Sequence, residues 1–290
     1  MDLFSYRPLM FSIAYQMTGS VGDAEDIVQE AFLRASGHQP ENPRAFLATV
    51  TTRLAIDYLR SARVRREAYV GTWLPEPILN DEAGPAEQAE LSDSLSMAFL
   101  VMLESLTPAE RAVFLLREVF GYGYQEIAEA TGKSQTNCRQ IFARAKRQVD
   151  ERKPRFEASR AEADELVRRF RDATLGDFDA LNDLLAPDVV FFGDSGGRGE
   201  AAVEPMHGRD RVLPFLVAIA ERSVRQGARL DLARVNGQPG LLVRDAAGDL
   251  VGVMAFDIAG GQLQAIHSLV NPDKLSHLGQ VSTTWHQRQT

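Results

Sequence analysis

Along the first half of the chain, apolar residues recur at helical spacing. Over 23–35 the positions Ala24, Ile27, Val28, Ala31 and Phe32 fall at i, i+3, i+4, i+7 and i+8, one face of an amphipathic helix. Gly22 and Asp23 open it, and Asp23, Glu25 and Asp26 place negative charge in the first turn, where the helix macrodipole favours it. A helix over 3–17 precedes it, joined through Thr18-Gly19-Ser20. A loop marked by Gly37, Pro40 and Pro43 leads to a third helix, from 44 to about 65, with Phe46, Leu47, Val50, Leu54, Ile56, Tyr58 and Leu59 as its apolar positions. The period is lost over 68–92, where Trp73-Leu74-Pro75-Glu76-Pro77 is too proline-rich for a helix or a central strand. It returns at Leu95, Phe99, Met102, Leu103 and Leu106.

Thr107-Pro108-Ala109-Glu110 is a capping box with proline at the first helical position. The helix it starts buries Val113, Phe114 and Leu116 and ends at Gly121. A short helix over 124–131 is closed by Gly132, and Ser134 caps the next one, whose core face is Cys138, Ile141, Phe142, Ala145 and Val149. Helix, glycine-containing turn, helix is the pattern of a DNA-binding helix-turn-helix. After a charged connector over 151–163 the pattern becomes mixed. Helices are expected over 164–174, 178–185 and 207–221, with a strand over 189–192 between the last two. Strand runs over 240–244, 250–258 and 262–270 follow, joined by hairpin-like Asp245-Ala246-Ala247-Gly248-Asp249 and Ala259-Gly260-Gly261. Helices followed by an antiparallel meander predict an α+β cone enclosing a pocket. The expected fold is therefore multidomain, two all-α modules followed by one α+β cone.

Charge sharpens this picture. The net charge of −8 over 290 residues argues against a nucleic-acid binder unless the bases are clustered, and they are. Arg53, Arg60, Arg63, Arg65 and Arg66 gather on the third helix, offset by Asp57. Such a run is either a solvated face or a phosphate-binding stripe. Lys133, Arg139, Arg144, Lys146, Arg147, Arg152, Lys153 and Arg155 face only Asp150 and Glu151. Gln135, Thr136, Asn137, Arg139, Gln140 and Arg144 lie off the core face of the second helix-turn-helix element. Such side chains reach base edges, arginine bidentate to guanine and Asn or Gln to adenine. In contrast, Glu76, Asp81, Glu82, Glu87, Glu90 and Asp93 form an acidic linker without Lys or Arg, in which Trp73 needs something to pack against. On the helix over 23–35, Leu33 stands opposite the apolar stripe among Asp26, Gln29 and Glu30. That face is either an ordinary solvated surface with one stray leucine or a docking site for a basic partner, anchored by Leu33.

Cys138 is the single cysteine, so no intramolecular disulfide or cysteine-based zinc site is expected, and a buried small hydrophobe fits it better than a redox switch. No basic, apolar leader opens the chain, and no run approaches the roughly 20 apolar residues of a membrane span. A cytoplasmic protein without membrane contact, metal or cofactor is expected.

Several of these strings resemble known motifs. Asp23-Ala24-Glu25-Asp26, Val28-Gln29-Glu30 and Phe32-Leu33-Arg34 resemble region 2.2 of bacterial sigma factors of the extracytoplasmic-function (ECF) class. The resemblance implies that Asp23, Asp26, Gln29, Glu30 and Leu33 meet the clamp helices of the largest subunit of core RNA polymerase. Pro43-Arg44-Ala45-Phe46-Leu47 through Ile56-Asp57-Tyr58-Leu59-Arg60 resembles regions 2.3 and 2.4. It implies −10 promoter contacts by Asn42, Arg44, Arg53, Arg60 and Arg63, with a flipped base held by the loop before the helix. Phe46 and Arg53 stand where many members have tryptophan and asparagine. The helix-turn-helix resembles region 4, implying −35 contacts by Gln135, Thr136, Asn137, Arg139, Gln140, Arg144 and Lys146.

The last unit resembles SnoaL-like, NTF2-like domains. Trp73-Leu74-Pro75-Glu76-Pro77, Asp194-Ser195-Gly196-Gly197-Arg198 and Asn271-Pro272-Asp273-Lys274-Leu275 resemble motifs of the ECF subgroup that carries this domain as a fused extension, with Ser195 in place of a glycine. Contacts between linker and domain are thereby implied for Trp73, Leu74, Pro75, Asp194, Arg198, Asn271, Asp273, Lys274 and Leu275. The organisation expected is region 2 over 1–70, linker over 71–93, region 4 over 94–153, the SnoaL-like domain over 164–276 and a polar tail over 277–290. The function implied is a sigma factor that binds core polymerase and directs promoter recognition, modulated by its fused domain, with no catalytic residues. Because NTF2-like folds also host isomerases, cyclases and epoxide hydrolases, the alternative is a DNA-binding regulator whose last domain is a small-molecule sensor or an active enzyme. Asp194, Asp257 and His267 are its acid–base candidates. His267 alternates with Leu263, Ala265 and Leu269 and is expected on the apolar side of the sheet as a buried, hydrogen-bonded residue. Asp257 fits a strand end, and Asp194 a loop-forming or inter-domain role. A small-molecule ligand of the pocket is left open.

Overall fold

The computed structural model describes residues 3–67, 69–79, 95–151, 159–198 and 204–282 and, over 62–67, the backbone alone. The acids Asp81, Glu82, Glu87, Glu90 and Asp93, and the tail from residue 283, lie outside the described residues. The chain forms two compact units, Met1–Ala68 with Phe99–Lys153, and Tyr69–Ala98 with Pro154–Thr290.

In the first unit a 3-10 turn, Leu3–Tyr6, leads into α1 (Arg7–Thr18), α2 (Val21–Ala35) and α3 (Pro43–Glu67). Gly19 ends α1 in the left-handed conformation at φ 68°, which glycine adopts without steric cost. Ser20 rather than Gly22 or Asp23 caps α2, its hydroxyl accepting from the Asp23 amide at 3.2 Å. Met10, Val28, Ala31, Ala35 and Leu47 form the core of this bundle, with Phe4 stacked on Phe32 at 4.8 Å. After α4 (Met97–Leu103), the expected capping box of Thr107 and Glu110 starts α5 (Pro108–Glu118). The helix-turn-helix follows as α6 (Tyr124–Thr131) and α7 (Gln135–Asp150), with Gly132 left-handed between them and Ser134 capping α7. Cys138, Ile141, Ala145 and Val149 are buried at the expected spacing. Arg111 of α5 is itself buried and donates to the Met17 carbonyl at 2.6 Å and to Glu104 at 2.8 Å, fastening the helix-turn-helix module to α1.

The second unit packs α8 (Arg160–Ala173), α9 (Phe178–Leu184) and α10 (Arg209–Arg225) on one face of a six-stranded sheet. The strands are β1 (Leu185–Asp194), β2 (Met206–His207), β3 (Arg229–Val235), β4 (Gln238–Arg244), β5 (Leu250–Ala259) and β6 (Gln262–Leu269), ordered β2-β1-β6-β5-β4-β3. Of these strands only β1 and β6 pair in parallel; β4, β5 and β6 form the expected meander, β3 extends it, and β2 pairs antiparallel with β1. Phe170 meets Phe256 edge-on, and Phe191 meets Phe215, so helices and sheet share one core.

Several expected boundaries are corrected. A capping box of Ser159 with Glu162 starts α8 at Arg160, four residues before the expected Asp164. The strand expected over 189–192 begins at Leu185 and runs through Pro187. The register shifts between Leu185 and Val190, so proline meets no ladder partner that needs its missing N–H. His207 belongs to β2, not to the helix that follows. Strand β3 was not foreseen at all. Its hairpin turns on Asn236 (φ 52°) and Gly237 (φ 76°), both positive as a type I′ turn requires. The start of the expected tail is docked: Ser282 donates from its amide to the Leu250 carbonyl at 2.8 Å and from its hydroxyl to Asp245 at 2.5 Å. That hydroxyl chiefly, with the backbone donors of the turn, holds the Asp245 carboxyl below the usual carboxylate range.

Candidate polymerase and DNA interfaces and the linker clasp

On α2 the stripe Ala24, Ile27, Val28, Ala31 and Ala35 is buried, whereas Leu33 is 71% exposed. Asp26 and Gln29 are exposed beside it, and Glu30 pairs with Arg34 at 2.7 Å. Asp23 differs from these, because its carboxylate also accepts the Tyr58 hydroxyl of α3. The outward face thus carries one large apolar side chain ringed by acceptors, a surface suited to a basic partner.

The basic positions of α3 are partly engaged within the same unit. Asn42 caps α3, its side chain accepting from the Ala45 amide at 3.1 Å. Arg53 donates to the carbonyls of Glu129 at 2.6 Å and Ala130 at 3.3 Å, the negative end of α6. Arg44 reaches the Phe120 carbonyl at 3.5 Å and lies 4.8 Å from the centre of the Tyr122 ring. Burial raises the Tyr122 phenol above its ordinary value, with Arg44 acting in the opposite sense. Arg60 is exposed, 3.6 Å from Asp57, and the side chain of Arg63 lies outside the described residues.

In α7 the expected readers Gln135, Thr136, Asn137, Arg139, Gln140 and Arg144 are all exposed. Arg139 lies 5.0 Å from the centre of the Tyr124 ring, and Arg144 is 3.8 Å from Glu110. Lys146 is half-buried and bonded to Glu118 at 2.5 Å, and that hydrogen bond raises its pKa. We expect Arg139→Ala to relax preference at one or two promoter positions, by about 1–3 kcal/mol of discrimination. Lys146→Ala should instead weaken all sequences alike. Binding assays over a randomised −35 element separate the two, and unchanged selectivity in Arg139→Ala would move base readout to another side chain.

The three short motifs of the second unit meet at one buried carboxylate. Asp194, with no exposed surface, accepts from the Leu74 amide at 2.8 Å, the Lys274 ammonium at 2.7 Å, the Gly196 amide at 3.1 Å and the Tyr69 hydroxyl. Lys274 also donates to the Leu74 carbonyl at 2.5 Å and sits 4.0 Å from the centre of the Trp73 ring, a desolvated cation–π contact. Asn271 donates to the Tyr69 oxygen at 2.9 Å, and Arg198 pairs with Asp273 at 2.8 Å on the surface. Leu74, Pro75 and Leu275 are buried. Burial, then the bond to Asp194, drives the Tyr69 phenol well above its ordinary value, so it stays a neutral donor. Gly196 (φ 64°) is obligatory, since a Cβ there would stand 2.6 Å from Asn271. Ser195, in place of a glycine, does not take a positive φ, which explains why a side chain is accommodated.

Sequence reasoning missed two further holds on the linker. Asn236 exchanges hydrogen bonds with Ile78, at 2.7 and 3.1 Å, and the Asn236-Gly237 dipeptide was the available signal. His277 donates to the Pro77 carbonyl at 2.8 Å.

The remaining acid–base candidates pair with each other. His267 donates to Asp257 at 3.1 Å and stacks on Phe192 at 5.0 Å, both members of the pair being buried. They lie on the sheet face opposite the helices, where His267 is buried beside Ala265 and Leu269 as alternation predicts; Leu263 alone departs from it. A bulge beside Asp257 shifts the register, so Leu263 faces the helix-covered core while Ala265, His267 and Leu269 face away. On the helix-covered face, Gly193, Ser268 and Met254 lie in register across β1, β6 and β5 and floor a cavity of about 130 Å³. Neither His267 nor Asp257 lines it. Among the described residues no group of three His, Cys, Asp or Glu is placed to hold a metal ion, and no helix is long and apolar enough to cross a membrane.

Residues 4–65 match the family model "Sigma-70 region 2" and residues 96–149 match "Sigma-70, region 4". Two such modules in this order, with a basic helix-turn-helix second, define a promoter-recognition subunit of bacterial RNA polymerase. The ECF RNA polymerase sigma factor SigJ of Mycobacterium tuberculosis is 37% identical over 286 residues, covering 93% of this chain and 91% of that protein. The probable ECF RNA polymerase sigma factor SigI of the same species is 36% identical over 283 residues, covering 94% and 93%. The crystal structure of M. tuberculosis SigJ superposes with a TM-score of 0.77 at 33% identity, over 95% of this chain and 98% of that one. The chain belongs to the ECF RNA polymerase sigma factors, and its last unit is an α+β domain that follows regions 2 and 4.

Proposed function

We propose that this sigma factor docks on core polymerase through the outward face of α2, against the basic clamp helices of the largest subunit. It reads the −10 element with α3 and the loop before it, and the −35 element with α7. Regulation comes from the NTF2-like domain, which holds the linker and so biases how far the two DNA-reading modules can separate. The observation that supports this reading is the Asp194 node. A buried carboxylate receives hydrogen bonds from Tyr69 and Leu74 on the linker side and from Lys274 on the domain side. A contact of that strength on the segment between −10 and −35 readers is placed to change which arrangement is populated. The domain acts by binding rather than by chemistry, a reading favoured by the position of His267 and Asp257 on the sheet face away from the cavity.

Transcription in vitro with core polymerase on a genomic promoter library tests this. Trp73→Ala and a chain ending before Asn271 should shift output in the same direction, and the combination should be less than additive. Fully additive effects, or wild-type output from both, would mean that the fused domain works some other way.

A further inference from the structure

Two arginines from different helices converge on one tyrosine at the start of the helix-turn-helix. Tyr124, the first residue of α6, is half-buried. Arg117 of α5 and Arg139 of α7 each place the guanidinium carbon 5.0 Å from the centre of its ring. The ring is braced from behind, because Phe142 meets it edge-on at 6.3 Å and itself stacks on the buried Phe114. Arg117 is tied as well, donating to the Tyr122 carbonyl at 3.0 Å. Arg139 is held differently. The neighbouring bases Arg144 and Lys146 face the carboxylates of Glu110 and Glu118, whereas Arg139, which is exposed, makes no hydrogen bond or ion pair among the described residues. Tyr124 likewise makes no hydrogen bond there through its hydroxyl, so the ring is the part that acts.

A ring face attracts a cation without consuming its N–H donors. Arg139 is thus kept over one surface with its whole donor fork open, and it has given up part of its rotamer freedom before any ligand arrives. Arg117 and Arg139 also bring two like charges to the same ring, and neither has an anion for a partner among the described residues. A polyanion relieves that arrangement. We propose that Tyr124 is a positioning residue for −35 recognition, which pre-orders the Arg139 guanidinium for bidentate contact with a guanine edge and does not itself touch the base. The inference rests on the assignment of α7 to the −35 element. It adds that base selectivity depends on a side chain outside the recognition helix.

The test uses holoenzyme assembled from the full-length chain and core polymerase, bound in competition to promoters randomised over the −35 element. Tyr124→Met keeps apolar bulk against Phe142 but has no ring. It should reduce the preference at the position read by Arg139 about three- to fivefold and leave the other positions unchanged. Tyr124→Phe, which keeps the ring, should retain that preference. In an Arg139→Ala background Tyr124→Met should lower it no further, because the reader is already gone. The dependence of affinity on salt should stay as it is in both Tyr124 variants, since no phosphate contact is removed. Selectivity unchanged in Arg139→Ala would remove the base-reading assignment on which the inference rests. Selectivity lost in Arg139→Ala but kept in Tyr124→Met would overturn the inference alone. So would a loss spread evenly over all positions, or an equal loss in Tyr124→Phe. A measurement on the unsubstituted chain covers a Tyr124→Met variant that fails to fold: the Arg139 side-chain N–H resonance, assigned by its disappearance in Arg139→Lys, should be shifted upfield by the ring. A resonance at the position of a solvated arginine would overturn the inference as well.

Discussion

Asp194→Ala should destabilise the second, α+β unit by about 3–5 kcal/mol, because it strands a buried ammonium without its counter-charge. Lys274 is only 7% exposed and would keep the Leu74 carbonyl and the Trp73 ring but lose the carboxylate at 2.7 Å. The Leu74 amide and the Tyr69 hydroxyl would lose an acceptor at the same time. Lys274→Met is expected to cost less, since Asp194 retains the Leu74 and Gly196 amides and the Tyr69 hydroxyl, and an apolar chain fills the space. The double variant should then be markedly better than the sum of the two singles, as for any pair in direct contact. Urea unfolding monitored through Trp73 fluorescence, with Trp285 replaced by phenylalanine, isolates this unit within the full chain. Limited proteolysis of the linker should accelerate in step. An Asp194→Ala chain within about 0.5 kcal/mol of wild type would show that the node is not what holds the linker.

The second large effect belongs to α2. Leu33→Ala combined with Asp26→Lys should lower affinity for core polymerase at least about thirtyfold, the equivalent of a single hot-spot truncation of 2 kcal/mol or more, with the charge reversal adding to it. Neither position touches the buried stripe of α2, so helical content and melting temperature should stay near wild type. Asp23 is the wrong residue for this experiment. Its carboxylate accepts the Tyr58 hydroxyl, so replacing it would also disturb the packing of α2 on α3. Titration of labelled chain with core polymerase gives the answer, and undiminished affinity would remove this face from the interface.

The engagement of Arg53 and Arg44 gives the −10 assignment a further consequence. Side chains expected to meet DNA here donate to carbonyls of Glu129, Ala130 and Phe120 in the helix-turn-helix module. On the proposed −10 reading, binding promoter requires exchanging those acceptors for phosphates or bases, so the carbonyls of the helix-turn-helix module would compete with DNA for the same donors.

Local order was legible in the chain itself. The stripe of α2, the Thr107–Glu110 capping box, the Gly132 turn and the buried spacing of α7 all arise from contacts three or four residues apart, which periodicity and capping residues report directly. The strings around Trp73, Asp194 and Asn271 were recognisable too, although only as strings. What they do with one another spans 75 to 202 residues of sequence, and no local rule fixes which donor finds the Asp194 oxygens. The burial of His267 beside Ala265 and Leu269 follows from alternation, but Leu263 turns to the other face because a single bulge reverses the pattern, and a bulge is set by the partner strand rather than by the strand's own residues. Strand β3 was missed although Asn236-Gly237 marks its turn, since Arg229, Asp231 and Arg234 make it look like a polar loop until β4 pairs with it. The sequence by itself thus determined the helices, their caps and the family. Only the tertiary structure decided which arginines are engaged, which carboxylate gathers the linker and which sheet face holds the cavity, because those depend on chain segments meeting in space.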